Sequence, residues 1–279
     1  MIKANKALGQ NFLTDARVSR RIVDAVSPRH SDLILEIGPG TGALTRSLAE
    51  LSGQVIAVEI DRRLADELRR SINADNLSII EGDALTLDWG EVIRSGITAL
   101  KARRGDTGPV RVRVVANLPY YISTPIIERL IQLRGLLFDM TLMLQNEVVE
   151  RIASKPGGRE YGYLSLHVQY HCLATKLFEV PPSAFKPAPK VQSAIVKLVV
   201  RDKPAVDVSD EARFMAVIRA SFAQRRKTML NNLKAASSRL SFSRPIEAAL
   251  ELAGVDPRRR AETLSLAEFK ALHDSLFGQ

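Results

Sequence analysis

Residues 33–42 read Leu33-Ile34-Leu35-Glu36-Ile37-Gly38-Pro39-Gly40-Thr41-Gly42, an apolar run that stops at three alternating glycines. The apolar run predicts a buried parallel strand, and the residues from Ala43 to Ala49 predict the helix that follows it. Glycines at such a turn let a ligand approach the backbone, and the start of the helix presents free N–H groups there. The stretch therefore predicts an α/β fold with a nucleotide-like ligand at this turn.

Acidic residues end the next two predicted strands. Glu59 closes the apolar run that starts at Val55, and Asp83 closes the short strand that starts at Leu77. About 20 residues after a glycine turn, a doubly wound fold places a carboxylate that binds ribose hydroxyls. We therefore expect Glu59 and Asp83 to lie beside the Gly38 turn, because parallel strands end at one edge of the sheet.

The glycine spacing leaves alternatives open. It is G-x-G-x-G, whereas the dinucleotide fingerprint is G-x-G-x-x-G, and glycines at a strand–helix turn also occur for purely structural reasons. A phosphate-binding P-loop is disfavoured, since no Gly-Lys-Ser/Thr sequence ends the turn. The two acidic strand ends favour a ligand site over the structural alternative.

The chain is basic. It has 279 residues, of which 46% are hydrophobic, and 40 Lys and Arg against 31 Asp and Glu give a net charge of +9. Such a length allows one large core and a smaller second one. The charge favours a polyanionic partner such as nucleic acid, although a merely basic surface would give the same count.

Cysteine usage and hydropathy indicate the compartment. Cys172 is the single cysteine, which excludes an intramolecular disulfide and suits a reducing cytoplasm. No apolar run reaches the roughly 18 to 20 residues of a membrane span, and the N-terminus lacks the apolar stretch of a signal peptide. We therefore expect a cytoplasmic protein with no membrane partner.

The segment Asn117-Leu118-Pro119-Tyr120 carries the most specific chemical signal, directly after a predicted strand from Val110 to Ala116. Pro119 keeps Leu118 out of helical angles, so we expect the Leu118 carbonyl to be held outward, beside the Asn117 side-chain oxygen. Two fixed acceptors can bind both hydrogens of a planar amine, and the Tyr120 ring can stack on a base. An ordinary strand-ending turn is the alternative.

A proline-stiffened loop from Pro181 to Lys190 displays Phe185. Its ring is a candidate second stacking wall for a base turned out of its stack, and a hydrophobic plug that anchors the loop is the alternative. His167 and His171 lie four residues apart, but no Glu of a His-Glu-x-x-His pattern accompanies them. We predict ordinary packing for both histidines and no metal site.

The sequence changes character after about residue 203. Residues 1–203 are predicted to form the ligand-binding catalytic domain, and residues 204–279 a small all-α domain. Two cationic clusters lie in the second domain, at Gln224–Lys227 and Arg258–Arg260. Arg225, Arg226 and Lys227 are our candidates for binding RNA phosphates, with a solvated helix face as the alternative.

Together these motifs resemble the ribosomal RNA adenine dimethyltransferases, in particular the bacterial enzymes of the small ribosomal subunit. The resemblance covers nearly the whole chain, and its motifs are Gly9–Leu13, Glu36–Gly42, Glu59, Glu81–Asp83, Asn117–Tyr120, Phe185–Pro187, Gln224–Thr228 and Arg260–Glu262. It implies a Rossmann-like, class I S-adenosylmethionine-dependent methyltransferase sheet with a small C-terminal all-α domain.

The resemblance also implies site residues. The cofactor S-adenosylmethionine, which leaves as S-adenosylhomocysteine, is expected against Asn11, Leu13, Gly38, Gly40, Glu59, Asp83 and Asn117. Catalysis is expected at Asn117, Leu118, Pro119, Tyr120 and Phe185. The implied reaction is dimethylation of the exocyclic amines of two adjacent adenines near the 3′ end of 16S rRNA, in an immature 30S particle, by a monomer.

Two other functions stay open at this point. One is the related large-subunit adenine methyltransferase that confers macrolide resistance, although the helical tail after residue 204 favours the small-subunit enzyme. The other is a ribosome-assembly factor for which methylation is secondary. Both would share the cofactor pocket, so the substrate particle and the effect of a mutated Asn117 distinguish them.

Overall fold

A β-sheet is the largest element of the computed structural model, which describes residues 2–5 and 8–278. Strands in this part of the chain are β1 (Phe12–Leu13), β2 (Asp32–Ile37), β3 (Gln54–Glu59), β4 (Leu77–Glu81), β5 (Arg111–Asn117), β6 (Asp139–Gln145), β7 (Cys172–Val180), β8 (Phe185–Lys186) and β9 (Ser193–Val200). Helices are α1 (Ala16–Val26), α2 (Thr45–Leu51), α3 (Arg62–Ser71), α4 (Trp89–Arg104), α5 (Ser123–Gln132), α6 (Asn146–Ala153), α7 (Tyr163–His171), α8 (Glu211–Ser221), α9 (Met229–Leu240), α10 (Ile246–Leu252) and α11 (Leu266–Phe277). The predicted alternation of strands and helices is confirmed as far as α6.

The sheet has the order β4-β3-β2-β5-β6-β9-β7, and β1 and β8 pair separately as a two-stranded ribbon. Strands β4, β3, β2, β5 and β6 are parallel, whereas β9 runs antiparallel to β6. The chain moves outward on one side of β2 and then returns to add β5 on the other side. Open parallel sheets bind ligands beyond the carboxyl ends of the strands at such a reversal, here the ends of β2 and β5.

The predicted strand, turn and helix around the glycines are confirmed, but α2 begins at Thr45 rather than at Ala43. Gly42 has a φ of +82°, which a right-handed helix does not accept. A Cβ at Gly42 would also lie 2.9 Å from Cδ2 of Leu68. The turn therefore needs glycine for its backbone angles and for its packing, and it delays the helix by two residues.

Aspartates cap two of the helices that flank the sheet. Asp15 accepts hydrogen bonds from the backbone N–H groups of Arg17 and Val18 at the start of α1. Asp61 accepts one from Arg63 N at the start of α3. Both caps agree with the sequence, because a short acidic side chain satisfies N–H groups that a helix leaves unpaired.

A buried ion cluster joins the edge of the sheet opposite the glycine turn. Arg113 on β5 donates from Nε to Oδ2 of Asp32 at 2.8 Å and from Nη1 to Oδ2 of Asp139 at 2.5 Å. Lys197 on β9 lies 3.5 Å from the same Asp139 oxygen and donates to the Ala25 carbonyl at 2.6 Å. Two cations and two carboxylates therefore neutralise one another where the last carbonyls of α1 need donors.

Contacts divide the chain into two compact units. The first comprises Met1–Val149 with Thr175–Val200, and the second comprises Glu150–Ala174 with Arg201–Gln279. The predicted domains, 1–203 and 204–279, differ from these units at residues 201–203 and in the segment 150–174. That segment joins the second unit because its apolar side chains, which include Tyr161, Leu166 and Tyr170, belong to the core around Phe214 and Phe269.

The second unit is helical apart from the start of β7. His167 stacks on Tyr163 with ring centroids 5.5 Å apart, and His171 packs edge-on against Tyr170 at 4.7 Å. Within residues 2–5 and 8–278, no group of three metal-type ligands lies close enough to hold an ion. Over the same residues, no helix is long and apolar enough to cross a membrane.

Candidate functional site

A pocket in the first unit lies beyond the carboxyl ends of β2, β3, β4 and β5. Its empty volume is about 790 Å³, part of it open to solvent. The predicted site residues that line it are Asn11, Gly38, Glu59, Asp83, Asn117, Leu118, Pro119, Tyr120 and Phe185. The sheet therefore brings together side chains that are up to 174 positions apart in the sequence, as the strand-end argument predicted.

A smaller cavity of about 330 Å³ lies beneath the glycine turn. Leu13 and Gly40, the two remaining candidates for cofactor contact, line this cavity rather than the large pocket. Gly38 and Asn117 line both. The predicted cofactor residues thus surround two adjoining spaces that share one wall.

Gly38 and Gly40 shape that wall. Both have positive φ angles, +68° and +58°. A Cβ on Gly38 would reach 3.6 Å from the backbone carbonyl oxygen of Asn117, and so would fill the space between the turn and the end of β5. The turn therefore requires glycine for its conformation and leaves its backbone open to a ligand.

Glu59 lies at the end of β3, where only 4% of the residue is exposed. Its Oε2 accepts the Gly40 N–H at 3.1 Å, and its Oε1 accepts the Asp61 N–H at 3.0 Å. Burial raises the pKa of Glu59, and these two N–H groups oppose the rise. Each carboxylate oxygen has a second lone pair, so Glu59 can still accept hydrogen bonds from ligand hydroxyls.

Gln10 lines the pocket and is held there by Asp61. Gln10 Nε2 donates to Asp61 Oδ2 at 3.1 Å, and Arg63 Nη2 donates to the same oxygen at 2.7 Å. The Arg63 hydrogen bond holds the pKa of Asp61 low, at about 2. The N-terminal lip, defined here as residues 8–11, is therefore held by Gln10 to the start of α3.

Asp83 lies in the loop after β4. Its Oδ1 accepts the Leu85 N–H at 2.8 Å, which closes a local turn. Asp83 lines the same pocket as Glu59. The predicted strand end at Asp83 is two residues too late, because β4 ends at Glu81, but Asp83 follows that strand closely enough to line the pocket.

Glu36 is a pocket residue that the sequence did not single out. It lies on β2, is 3% exposed, lines the smaller cavity, and its Oε2 has no hydrogen-bond partner among the described residues. Its pKa is raised to about 7, chiefly by burial, with the Thr45 hydroxyl opposing the rise and the nearby Glu59 carboxylate adding to it. An acidic residue inside an apolar strand was the available signal.

Asn117, at the end of β5, contacts the N-terminal lip. Its Nδ2 donates to the Asn11 carbonyl at 3.3 Å. This hydrogen bond fixes the orientation of the side-chain amide and therefore of its oxygen. Leu118 is 1% exposed, and its N–H donates to the Met143 carbonyl at 3.3 Å. Asn117 and Leu118 both line the pocket that contains Gly38, and the role of their oxygens as acceptors stays a prediction.

Tyr120 begins a short 3-10 turn, Tyr120–Ile122. Its hydroxyl lies 2.9 Å from Oγ of Ser193, a residue that is 1% exposed at the start of β9. Burial raises the pKa of Tyr120, which keeps the phenol neutral. Ser193 was missed from the sequence, where its only signal is a hydroxyl at the start of an apolar strand.

Phe185 reaches the pocket through the ribbon of β1 and β8. Phe12 pairs with Lys186 and Leu13 pairs with Phe185. The Thr14 N–H extends the ribbon by donating to the Ala184 carbonyl at 2.8 Å. Phe185 is 5% exposed, lines the pocket and also belongs to the core of the first unit. Its position is therefore compatible with both predicted roles, a stacking surface for a base and a hydrophobic anchor for the loop.

The candidate RNA-binding residues lie in the second unit, between α8 and α9. Arg225 donates to the Arg159 carbonyl and its Nε lies 3.6 Å from Oε2 of Glu262. Arg226 and Lys227 are exposed, and neither forms an ion pair within the described residues. The three neighbouring cations thus differ, because Arg225 alone has a side-chain partner among the residues that the structure describes.

The residues around the two cavities fit S-adenosylmethionine. This cofactor carries a sulfonium, an ammonium and ribose hydroxyls, and the carboxyl groups of Glu36, Glu59 and Asp83 face the cavities that would contain them. Oε2 of Glu36 has no donor among residues 2–5 and 8–278, as expected where a ligand supplies one. Ile37 and Val58 supply apolar wall.

Comparison with known proteins identifies the family of the chain. A family model described as ribosomal RNA adenine dimethylase matches residues 1–273. Ribosomal RNA small subunit methyltransferase A of Geobacter sulfurreducens is 46% identical over 276 residues, which cover 99% of this chain and 96% of that protein. A match of this extent shows the family.

Solved structures agree with the fold. A dimethyladenosine transferase from Plasmodium falciparum is 28% identical with a TM-score of 0.75, covering 94% of this chain and 95% of that one. The 23S rRNA methyltransferase ErmE is 26% identical with a TM-score of 0.71, covering 95% and 99%. The Rossmann-like class I methyltransferase fold predicted from the sequence is confirmed, and the cofactor is S-adenosylmethionine. The chain therefore belongs to the ribosomal RNA adenine dimethylase family.

Proposed function

We propose that this protein dimethylates the exocyclic amines of two adjacent adenines near the 3′ end of small-subunit rRNA. The proposed substrate is rRNA in an immature 30S particle, and the proposed enzyme is a cytoplasmic monomer. One observation carries the proposal: the Gly38 turn and the Asn117–Tyr120 segment line the same pocket. The 46% identity to a relative named for the small subunit, against 26% to one named for 23S rRNA, supports the choice of subunit.

In this proposal the cofactor residues divide by cavity. Glu59 binds the ribose hydroxyls, Asp83 binds the adenine end, and Gly38, Gly40 and Leu13 surround the methionine end. Asn11 contributes through the backbone carbonyl that already orients Asn117. When bound, S-adenosylmethionine supplies an electrophilic methyl group.

The acceptors at Asn117 and Leu118 orient the reacting amine. The lone pair of an adenine amine is delocalised into the ring and is a weak nucleophile. Acceptors on both N–H groups favour a pyramidal nitrogen, whose lone pair is localised and can be directed at the methyl group. Positioning and electrostatics supply most of the acceleration, and the amine proton becomes acidic once the nitrogen is methylated.

Aromatic rings hold the base. We assign the stacking faces to Tyr120, whose hydroxyl is fixed by Ser193, and to Phe185, which is fixed by the ribbon of β1 and β8. Pro119 contributes rigidity between the acceptors and the ring. A base must leave its helical stack to enter such a pocket, and a ring on each face offsets the stacking that it loses.

Replacing Asn117 with Ala tests the proposed site. The substitution removes one of the two amine acceptors, so we expect methyl transfer to unmethylated small subunits to fall at least 100-fold, while RNA binding changes less than twofold. Transfer of labelled methyl groups measures the first quantity, and a filter-binding titration measures the second. Asn73→Ala is the matched control, because Asn73 is exposed and precedes β4, away from the strand ends that form the pocket.

Full activity of the Asn117→Ala protein would overturn the assignment of the catalytic site. The same labelled assay with small subunits, large subunits and naked RNA identifies the substrate. Labelling of large subunits alone would favour the macrolide-resistance reaction. Tight binding to immature small subunits without any labelling by the wild-type protein would favour an assembly factor.

A further inference from the structure

Tyr121 lies on the rim of the pocket, directly after Tyr120. Tyr121 is 62% exposed, although it lines the pocket that contains the proposed catalytic residues. Tyr120 is tied to Ser193, whereas Tyr121 faces solvent. Two consecutive aromatic residues thus differ in environment, and the mechanism above uses only the first.

The position of Tyr121 is fixed although the ring is exposed. The backbone around it forms a 3-10 turn, which the Ile122 N–H closes on the Pro119 carbonyl at 3.2 Å. One edge of the ring packs against Gly9, where a Cβ would lie 3.2 Å from the ring atom Cε1. Gly9 has a φ of +62° and so accommodates the ring both sterically and conformationally. The lip supports Tyr121 without covering it.

An exposed, supported ring at the rim of a base pocket is suited to stack on a second base. When one base of an RNA strand enters a pocket, the base next to it loses a stacking neighbour and stays within one nucleotide of the rim. Aromatic side chains bind such unstacked bases through their π-faces, with little dependence on sequence. Tyr121 offers this surface at the place where the strand must pass.

We propose that Tyr121 is a second base-binding site, which stacks on the nucleobase adjacent to the one that is methylated. The inference rests on the proposed function, because it requires a base held by Asn117 and Tyr120. Its ligand is an unpaired nucleobase of the RNA strand. The site acts in substrate capture, since Tyr121 does not contact the reacting amine.

Substitutions at Tyr121 test the proposal with unmethylated small subunits as substrate. We expect Tyr121→Ala to lower kcat/KM about 10-fold through KM, and Tyr121→Phe to retain at least half of it, because Phe keeps the stacking face. The dissociation constant for S-adenosylmethionine should stay within twofold in both variants, which would exclude a damaged pocket. Leu252→Ala is the control, because Leu252 is 65% exposed on α10 in the other unit.

A binding cycle identifies the partner base. The probes are three single-stranded uridine heptamers with one central adenine: one intact, one abasic on the 5′ side of the adenine and one abasic on the 3′ side. With S-adenosylhomocysteine present, Tyr121→Ala should weaken binding of the intact RNA but have no further effect on one of the abasic RNAs. An equal loss on all three RNAs, or no loss on any, would overturn the inference.

The two proposals fail separately. If wild-type protein methylates no adenine, the proposed function fails. If the wild type is active and Tyr121→Ala has the same kcat/KM, only the second base site fails.

Discussion

Glu36 connects stability with the cofactor cavity at the scale of one residue. Its carboxyl group is buried under the glycine turn, and one oxygen lacks a partner among the described residues. Burial raises its pKa from an ordinary 4.5 to about 7, with the nearby Glu59 adding to the rise. Because the folded pKa exceeds the unfolded one, Glu36 favours folding most below pH 4.5, and this contribution is lost as pH rises through about 7.

Glu36→Gln should therefore make stability less sensitive to pH. The shift corresponds to about 3 kcal/mol, so the variant should gain up to about that amount over wild type between pH 4.5 and pH 8. Urea unfolding at a series of pH values, without cofactor, measures the difference. Glu50→Gln is the control, because Glu50 is exposed on α2. Parallel stability curves for wild type and Glu36→Gln would contradict the prediction.

Residue types and strand ends were enough to predict much of the site. Gly38, Glu59 and Asn117 were found because each follows or ends an apolar strand, and parallel strands end together. Ser193 and Tyr121 were not found, since their roles depend on which way a side chain points in the folded chain. Sequence spacing does not specify that direction.

At the scale of elements, Arg113 joins three strands and a helix. It lies on β5, contacts carboxylates on β2 and β6, and donates to the Val26 carbonyl at the end of α1 at 3.3 Å. Burial raises the pKa of Asp139, while Arg113 and Lys197 oppose the rise. Removing Arg113 would leave two buried carboxylates with one cation. Loss of one partner from a buried ion cluster lowers the free energy of unfolding by more than the intact cluster adds to it.

Arg113→Met should destabilise the first unit by about 3 to 5 kcal/mol. Arg111→Met is a matched control, because Arg111 is exposed on the same strand and its guanidinium lies over the same Phe138 ring, at 4.6 Å against 4.9 Å for Arg113. Guanidinium chloride unfolding measures both variants. Equal midpoints for the two variants would show that the buried carboxylates do not depend on Arg113.

The bounds of helices and strands were predictable where the hydrophobic pattern is strong. They were not predictable where a strand pairs with residues far away in the sequence. The strands predicted from Val55 to Glu59 and from Val110 to Ala116 match β3 and β5 to within one residue at each end, because apolar runs mark buried strands. The ribbon of β1 and β8 was missed as structure, since each of its strands has two residues and pairs Phe12 with Lys186 across the chain. Short strands have no periodicity to read.

At the scale of the whole molecule, the chain folds as two compact units, and the sequence predicted one of the boundaries between them. The chain passes from the first unit to the second after Val200, close to the predicted boundary at residue 204, because the composition of the sequence changes there. The insertion of 150–174 into the helical unit was not predicted, since its aromatic residues resemble any core segment. Separate roles for the units, catalysis and RNA binding, remain our proposal.

Salt dependence of binding tests the RNA-binding role assigned to the helical unit. Arg226 and Lys227 are exposed, so each can neutralise a phosphate. The association constant for RNA falls with salt, and in the double Ala variant the steepness of log K against log salt should decrease by about 1.4 to 1.8. Arg225→Ala should instead lower thermal stability, because Arg225 contacts Arg159 and Glu262 in its own unit. Titrations of small subunits at several salt concentrations measure the slope. An unchanged slope in the double variant would mean that these cations do not touch RNA.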